Sequence, residues 1–274
     1  MKREDDDKSM RPRSLVDYRR MKERGEKIAV LTAYDFLMAR ILESSGIDMV
    51  LVGDSVGMVF SGHSNTLPVT VDEMIYHARA VGRGIKDTPI IVDMPFMSFQ
   101  VSSTEAVRNC GHVLKETRAM AVKIEGGEEI MPTVSALIRA SIPVMGHIGL
   151  TPQSIHRFGG YGLQGRDPEQ KEKLMRDAAR LQEAGCFSIV LEMIPSELAG
   201  KITANLDIPT IGIGAGPSCD GQVLVLPDML GLNEGFEPKF LKKYASLGQE
   251  TRHAVRAFIE EVKSGMYPSD KESY

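Results

Sequence analysis

The sequence predicts an α/β protein built as a (β/α)8 barrel. Three observations carry that expectation. Eight short apolar runs recur along the 274 residues. Most are continuous rather than alternating, which is how strands buried on both faces of a parallel sheet read. Amphipathic stretches bounded by helix-capping residues lie between them, giving repeated β-then-α order.

The runs are IAVLTA (28–33), MVLVGDS (49–55), PIIVDMP (89–95), AVKIEGG (121–127), PVMGHIG (143–149), SIVLEMI (188–194), PTIGIGA (209–215) and VLVLPDM (223–229). Among the helical stretches, 70–85 opens on Thr70 with acids in its first turn, where they complement the helix dipole. Stretch 102–118 opens on Ser/Thr followed by Glu105. Stretch 172–185 ends in Gly185, a favoured C-terminal cap. Stretch 247–265 reads as the last helix, with charge on its outer face. A doubly wound open sheet uses the same units, but eight strands without a clear linker favour the closed barrel. The glycine-rich stretch 159–165 (GGYGLQG) reads as a functional loop.

Composition removes several function classes. The 33 basic and 37 acidic residues give a net charge of −4, which leaves no basic footprint for nucleic acid and opposes an anionic membrane surface. There is no apolar run long enough to span a bilayer. Cys110, Cys186 and Cys219 are odd in number and far apart, so neither a disulfide framework nor a zinc site is expected, and a reducing cytoplasm is the simplest setting. The first ten residues, MKREDDDKSM, lack the apolar core of a signal peptide. They are read as an extension outside the fold, disordered or the remnant of a cleavable tag, with 11–274 as a single catalytic domain.

The chemistry is expected where the strands stop. Asp54, Asp93, Glu125 and Glu192 end or follow apolar runs, with Lys123 and His147 on the same set of segments. A charge inside an apolar strand is costly unless it is paired or metal-bound. In a β/α barrel the C-terminal strand ends share one mouth. Taken singly, any of these acids reads as a helix cap; four on successive units read as a site. Oxygen-only ligands select a hard cation, so Asp54 and Asp93, with Glu125 nearby, suit Mg²⁺, and Mn²⁺ fits the same donors. Such a cation chelates a 2-keto acid and stabilises the enolate formed when the adjacent carbon loses its proton. Glu192, on a separate strand with apolar neighbours, is the expected base, its burial raising its pKa. Lys123 shares a strand face with Glu125 and is placed to pair with the substrate carboxylate or the oxyanion. His147 is divided between a core hydrogen bond and a substrate contact. Asp35 reads as a helix cap, and His63, His77, His112 and His253 as structural or exposed. Gly212–Gly216 partly matches a dinucleotide pattern, but Pro217 follows where a helix should open, so close backbone packing is the expected role.

Longer motifs extend this reading. TAYD (32–35), LVGDS (51–55), DMPFM (93–97), AVKIEGG (121–127), GHIGLTPQS (146–154), GIGAG (212–216), DGQVLV (220–225) and DMLGL (228–232) resemble the ketopantoate hydroxymethyltransferase family, over about residues 14 to 245. The resemblance implies a TIM barrel of the phosphoenolpyruvate/pyruvate type. It implies transfer of a hydroxymethyl group from the co-substrate 5,10-methylenetetrahydrofolate to 3-methyl-2-oxobutanoate, giving 2-dehydropantoate on the route to pantothenate and coenzyme A. It assigns Asp54, Asp93 and Glu125 to one Mg²⁺ per subunit, Asp54, Ser55, Asp93 and Lys123 to substrate, and Glu192 to proton abstraction. It also implies a cytoplasmic homo-oligomer, a decamer in several members. Arg118, before the fourth run, and Pro227 depart from the pattern away from the site. Two rivals stay open on the residues alone. One is a carbon–carbon lyase of the same barrel type, for which Cys219 is the only available loop cysteine. The other is a metal-stabilised 2-keto-acid binding protein without a catalytic base.

Overall fold

A computed structural model describes residues 13–274; the expectation about the first ten residues lies outside them. Eight strands close into a barrel in sequential order, β1 (Ile28–Thr32), β2 (Met49–Val52), β3 (Ile90–Asp93), β4 (Ala121–Glu125), β5 (Val144–Gly149), β6 (Ser188–Glu192), β7 (Thr210–Ile213) and β8 (Gly221–Leu224). Every neighbouring pair is parallel, and β8 returns to pair with β1. The predicted (β/α)8 fold is therefore the observed one.

The chain divides into two compact units, the barrel up to Leu224 and Val225–Tyr274. The last run, expected at 223–229, is displaced. β8 begins at Gly221 and stops at Leu224, and Leu226–Met229 is a helical turn carrying Pro227 at its start. Proline has no amide hydrogen for a ladder and is well placed in a first helical turn.

Strand side chains alternate, so every second residue faces the barrel axis. Ile28, Val30, Met49, Leu51, Ile91, Ala121, Met145, Val190, Ile211 and Val223 form one apolar cluster. The helix Leu15–Glu23 adds Tyr18 and Met21 to this cluster. The Tyr18 hydroxyl donates to the Asp48 carbonyl at 2.7 Å, just before β2, so this helix closes the N-terminal end of the barrel. Two residues further along four of the strands, the inward position becomes polar: Asp93, Lys123, His147 and Glu192. Glu125 is one further step along β4. The apolar floor and the polar layer above it follow from the same two-residue period.

The outer helices explain themselves locally. Val71–Gly84 carries a capping box between Thr70 and Glu73 and lies beside β2 and β3. Ser103–Glu116 is capped by Ser102, and Phe36–Ser44 by the Asp35 carboxylate, as expected. The helix expected from residue 172 begins earlier, at Pro168, because Asp167 caps it and proline takes its first position. Arg118 donates to the carbonyls of Ile85 and Lys86 at 2.6 and 2.9 Å, which satisfies the chain just past the helix Val71–Gly84 and gives that departure a packing role. His77 is buried with its Nδ1 2.7 Å from the Tyr34 carbonyl, a structural role. Gly216 has φ +82°, and a Cβ there would meet the Ser196 side chain at 2.0 Å, which is the close packing expected of 212–216.

Candidate active site

Asp93, Lys123, Glu125, His147 and Glu192 stand together at the C-terminal end of the barrel. Register makes the first four neighbours: Asp93 pairs with Lys123 across β3 and β4, and Glu125 with His147 across β4 and β5. Glu192 lies opposite Gly149. There φ is +96° and a Cβ would fall 2.2 Å from the Glu192 carbonyl, so only glycine lets β5 pass this close to the strand that carries Glu192. Asp54 is two residues beyond β2, in the turn, and its backbone N–H donates to Asp93 Oδ2 at 3.1 Å. Ser55 follows it, its hydroxyl 2.9 Å from that of Tyr34.

Lys123 is the hub. Its ammonium lies 3.2 Å from Asp93 Oδ1, 3.9 Å from Glu125 Oε1 and 3.0 Å from His147 Nδ1. An ammonium has hydrogens only to give, so His147 Nδ1 accepts and the ring proton sits on Nε2. That nitrogen is 3.1 Å from Glu192 Oε2. A chain thus runs from the acidic cluster through Lys123 and a neutral imidazole to Glu192.

Burial sets the charges. Asp93, Lys123, Glu125 and His147 side chains are 3–5% exposed, and Glu192 is 16% exposed. Burial, with the charge of Glu125 next, pushes Asp54 up to about 6. Burial, resisted by Lys123 and reinforced by Asp54, pushes Asp93 up to about 7. Glu125 is raised by burial against the pull of Lys123. Burial also works against the Lys123 charge, but Asp93, Glu125 and Asp54 outweigh it and hold the ammonium above the usual lysine range. His147 is pushed down to about 4 by burial and by Lys123. Glu192 is the least buried of the layer, so the expectation that burial singles it out does not hold. What distinguishes it is its place, 3.1 Å from His147 Nε2 and apart from the acidic cluster.

The donor set fits a hard cation. Asp93 Oδ1 and Glu125 Oε1 are buried without a hydrogen-bond partner among the described residues. Buried acceptors left unsatisfied are costly and call for an explanation. No three His, Cys, Asp or Glu side chains converge into a closed ligand set among the described residues. Asp54, Asp93 and Glu125 therefore do not close as a three-carboxylate ligand set, and the cation that suits them is one that takes few protein carboxylates and keeps waters, as Mg²⁺ does.

The lyase rival loses its acid. Cys219 is buried, lies just before β8 and therefore sits at the opposite end of the barrel, with its carbonyl accepting from Lys27 ahead of β1. Burial raises its thiol. The loop 159–165 instead brings Tyr161 over the mouth, where its hydroxyl is 3.8 Å from Met58 Sδ and its backbone is tied by Gln164 N–H to the Met193 carbonyl at 2.8 Å.

Comparison with known proteins fits this geometry. The family model of ketopantoate hydroxymethyltransferase matches residues 13–270. The chain belongs to the ketopantoate hydroxymethyltransferase family. A 3-methyl-2-oxobutanoate hydroxymethyltransferase of Pelobacter propionicus is 57% identical over 261 residues, covering 95% of this chain and 97% of that one. One of Geobacter sulfurreducens is 54% identical over 264 residues, covering 96% and 99%. Two solved structures share the fold. A 2,3-dimethylmalate lyase, a PEP mutase/isocitrate lyase superfamily member, superposes with a TM-score of 0.60 at 18% identity, over 97% of this chain and 93% of that one. A phosphonopyruvate hydrolase superposes with a TM-score of 0.61 at 13% identity, over 94% and 92%.

In this ketopantoate hydroxymethyltransferase family member, all the sequence-predicted residues reach one mouth, Ser55 included. Sequence reasoning gave no role to Gln153, which sits inside the GHIGLTPQS motif. It is buried and bonded to two of the acids. The raised carboxyls also predict a pH dependence. A carboxyl whose folded pKa exceeds its unfolded value of about 3.9 stabilises the fold while protonated, and that contribution is lost as pH rises through the folded value. With folded values of about 6 and 7, the Tm of metal-stripped protein is expected to fall between pH 5 and 8. Excess Mg²⁺ should reduce the fall, and Asp93→Asn should flatten it. Parallel pH profiles for wild type and Asp93→Asn in EDTA would remove this account.

Proposed function

We propose that the chain transfers a hydroxymethyl group from 5,10-methylenetetrahydrofolate to 3-methyl-2-oxobutanoate, giving 2-dehydropantoate and tetrahydrofolate. The observation that carries the chemistry is the separation of two functions in one polar layer. Asp54, Asp93 and Glu125 gather around Lys123, while Glu192 stands apart on His147. The one-carbon donor is supported by family membership, since the polar layer itself speaks only for enolisation of a keto acid.

Asp54, Asp93 and Glu125 would hold one Mg²⁺, which supplies Lewis acidity to the two oxygens of a 2-keto acid when bound. Lys123 lies within the same cluster and balances the negative charge that develops on substrate oxygen. Glu192 takes the proton from C3 of 3-methyl-2-oxobutanoate. His147, neutral and with its Nε2 3.1 Å from the Glu192 carboxylate, stands beside the base and keeps the ammonium of Lys123 turned toward the acids. Water adds to the one-carbon unit and both of its bonds to folate nitrogen break, the two water protons passing to those nitrogens; C3 bonds to the freed carbon, whose water-derived oxygen becomes the hydroxyl by taking the proton that Glu192 removed. Ser55 and the Asp54 and Asp93 carboxylates are assigned to the substrate side of the same pocket.

The test separates the two halves of the reading. With Mg²⁺ and no folate, the enzyme is expected to exchange the C3 hydrogen of 3-methyl-2-oxobutanoate for deuterium. Adding 5,10-methylenetetrahydrofolate should yield 2-dehydropantoate. Metal-dependent keto-acid binding without exchange would favour a binding protein instead, and cleavage of a 2-hydroxy acid without folate would favour a lyase.

The chain is further read as a homo-oligomer, with a decamer as the assembly. The support is the last helix, Leu247–Ser264, which has no buried residue and exposes Val255, Phe258, Ile259 and Val262. An apolar face of that kind marks an interaction site. Sedimentation as a monomer at micromolar concentration would dismiss it. Three free, buried cysteines support a cytoplasmic setting, which cell fractionation can check. No helix among the described residues is long and apolar enough to cross a membrane.

A further inference from the structure

Gln153 lies on the short 3-10 turn Pro152–Ser154 that follows β5, and it is 6% exposed. Every hydrogen-bonding group that it turns toward the acids is used. Its backbone N–H donates to Glu125 Oε2 at 3.0 Å. Its side-chain Nε2 donates to Asp54 Oδ2 at 2.9 Å and to the Met94 carbonyl at 2.9 Å. Its Oε1 accepts from Gln100 Nε2 at 3.0 Å. One residue therefore reaches the turn after β2, the residue next to Asp93 on β3, and the end of β4.

The bonds sort the carboxylate oxygens into two sets. Glu125 Oε2 is tied by Gln153, Asp93 Oδ2 is tied by the Asp54 N–H, and Asp54 Oδ2 is tied by the Gln153 amide. Asp93 Oδ1 and Glu125 Oε1 are left without a hydrogen-bond partner among the described residues. A tied oxygen fixes the rotation of its carboxylate, so the other oxygen has a set direction.

The chemistry at this position calls for a neutral donor. A lysine or arginine would add a second cation to the cluster that Lys123 already balances. An aliphatic side chain would leave Asp54 Oδ2 without this donor. A glutamate would bring another carboxylate against Asp54 and the Met94 carbonyl. The amide also has only one workable orientation. Turned over, its oxygen would face the Asp54 carboxylate and a carbonyl, and Gln100 blocks that flip by donating to Oε1.

We propose that Gln153 is a positioning residue for the acidic cluster, with Gln100 behind it. It cross-links Asp54 and Glu125 and so aims the oxygens of Glu125 and Asp93 that accept no hydrogen bond among the described residues, and that face Lys123, at the divalent cation and the keto acid. The inference rests on the functional reading above. It adds a residue whose contribution is orientation, acting on cation and keto-acid binding more than on the proton-transfer step.

The test is Mn²⁺ binding read by electron paramagnetic resonance on the full-length protein, without folate, for wild type, Gln153→Leu and Gln100→Leu. Outer-shell partners of this kind are worth about 10–100-fold in metal affinity. Gln153→Leu is expected to weaken Mn²⁺ binding by about that factor and to raise the KM for 3-methyl-2-oxobutanoate. Its kcat at saturating metal and keto acid should fall by much less. Gln100→Leu changes a residue outside the cluster, and it should shift Mn²⁺ affinity in the same direction by a smaller factor, because it acts only through the orientation of the Gln153 amide. It keeps the test decisive if Gln153→Leu does not fold. A lower Tm with wild-type Mn²⁺ affinity in the variants that fold would overturn the inference and leave the functional reading standing. Failure of the wild type itself to bind Mn²⁺ would remove both.

Discussion

Glu192→Gln is expected to lower turnover by roughly 10²–10⁴-fold, with the rate of C3 deuterium exchange falling by the same factor. The substitution keeps shape and keeps a hydrogen-bond acceptor. His147 Nε2, now 3.1 Å from Glu192 Oε2, would face an amide of the same size. What disappears is the capacity to take a proton. The other acids cannot replace it. Asp54, Asp93 and Glu125 are bound into the Lys123 cluster and held by Gln153 and by one another. Mn²⁺ affinity and keto-acid binding should stay within about threefold of wild type, because a group used only in the transition state affects kcat and kcat/KM alike. Exchange at the wild-type rate in Glu192→Gln would transfer the base role elsewhere. Loss of metal binding in the same variant would show that Glu192 belongs to the cluster after all.

That prediction was reachable from the sequence because charges are conspicuous inside apolar runs. Asp93, Glu125 and Glu192 end strands whose preceding residues are buried on both faces. The same contrast made the strands themselves legible. It failed at β8, where the apolar run 223–229 straddles the end of a strand and the start of a helical turn, and where Gly221 and Gln222 carry little strand signal. Strand ends also ran long: Gly53–Ser55, Met94 and Gly126 lie beyond the strands, and Asp54 reaches the site from a turn instead of a strand. Gln153 escaped notice for a related reason. A neutral amide in a loop is ordinary, and its role follows only from which carboxylates the barrel brings beside it. The His147 tautomer is likewise a product of more than one strand, since Lys123 on β4 fixes Nδ1 of a residue on β5 and Glu192 on β6 lies 3.1 Å from Nε2. The periodicity of the last helix announced a helix, but one chain holds no information on what covers its apolar face.

Lys123→Met is expected to have the largest effect on stability. Lys123 is buried, and its charge faces Asp93, Glu125 and Asp54, which are buried too. Methionine fills similar space but leaves three carboxyls without a cation. Removing one partner of a buried ion pair costs about 3–5 kcal/mol, because the remaining charge is stranded. At roughly 2–4 °C per kcal/mol, that corresponds to a Tm lower by about 6–20 °C in metal-free protein at pH 8. The deficit depends on the carboxyls being ionised. It should therefore shrink toward pH 5, below the values of about 6 and 7 to which burial pushes Asp54 and Asp93. A divalent cation should restore stability more in the variant than in wild type, since it replaces the missing positive charge; a ligand at 100 times its Kd adds about 2.7 kcal/mol. Activity should not return with it, because His147 Nδ1 loses its donor and the keto acid loses its counter-charge. Calorimetry at pH 5 and pH 8, with and without Mg²⁺, reads all of these. A Lys123→Met protein whose Tm stays within about 2 °C of wild type at pH 8 without metal would mean that the acids are largely protonated in the folded state. Lys123 would then serve substrate alone.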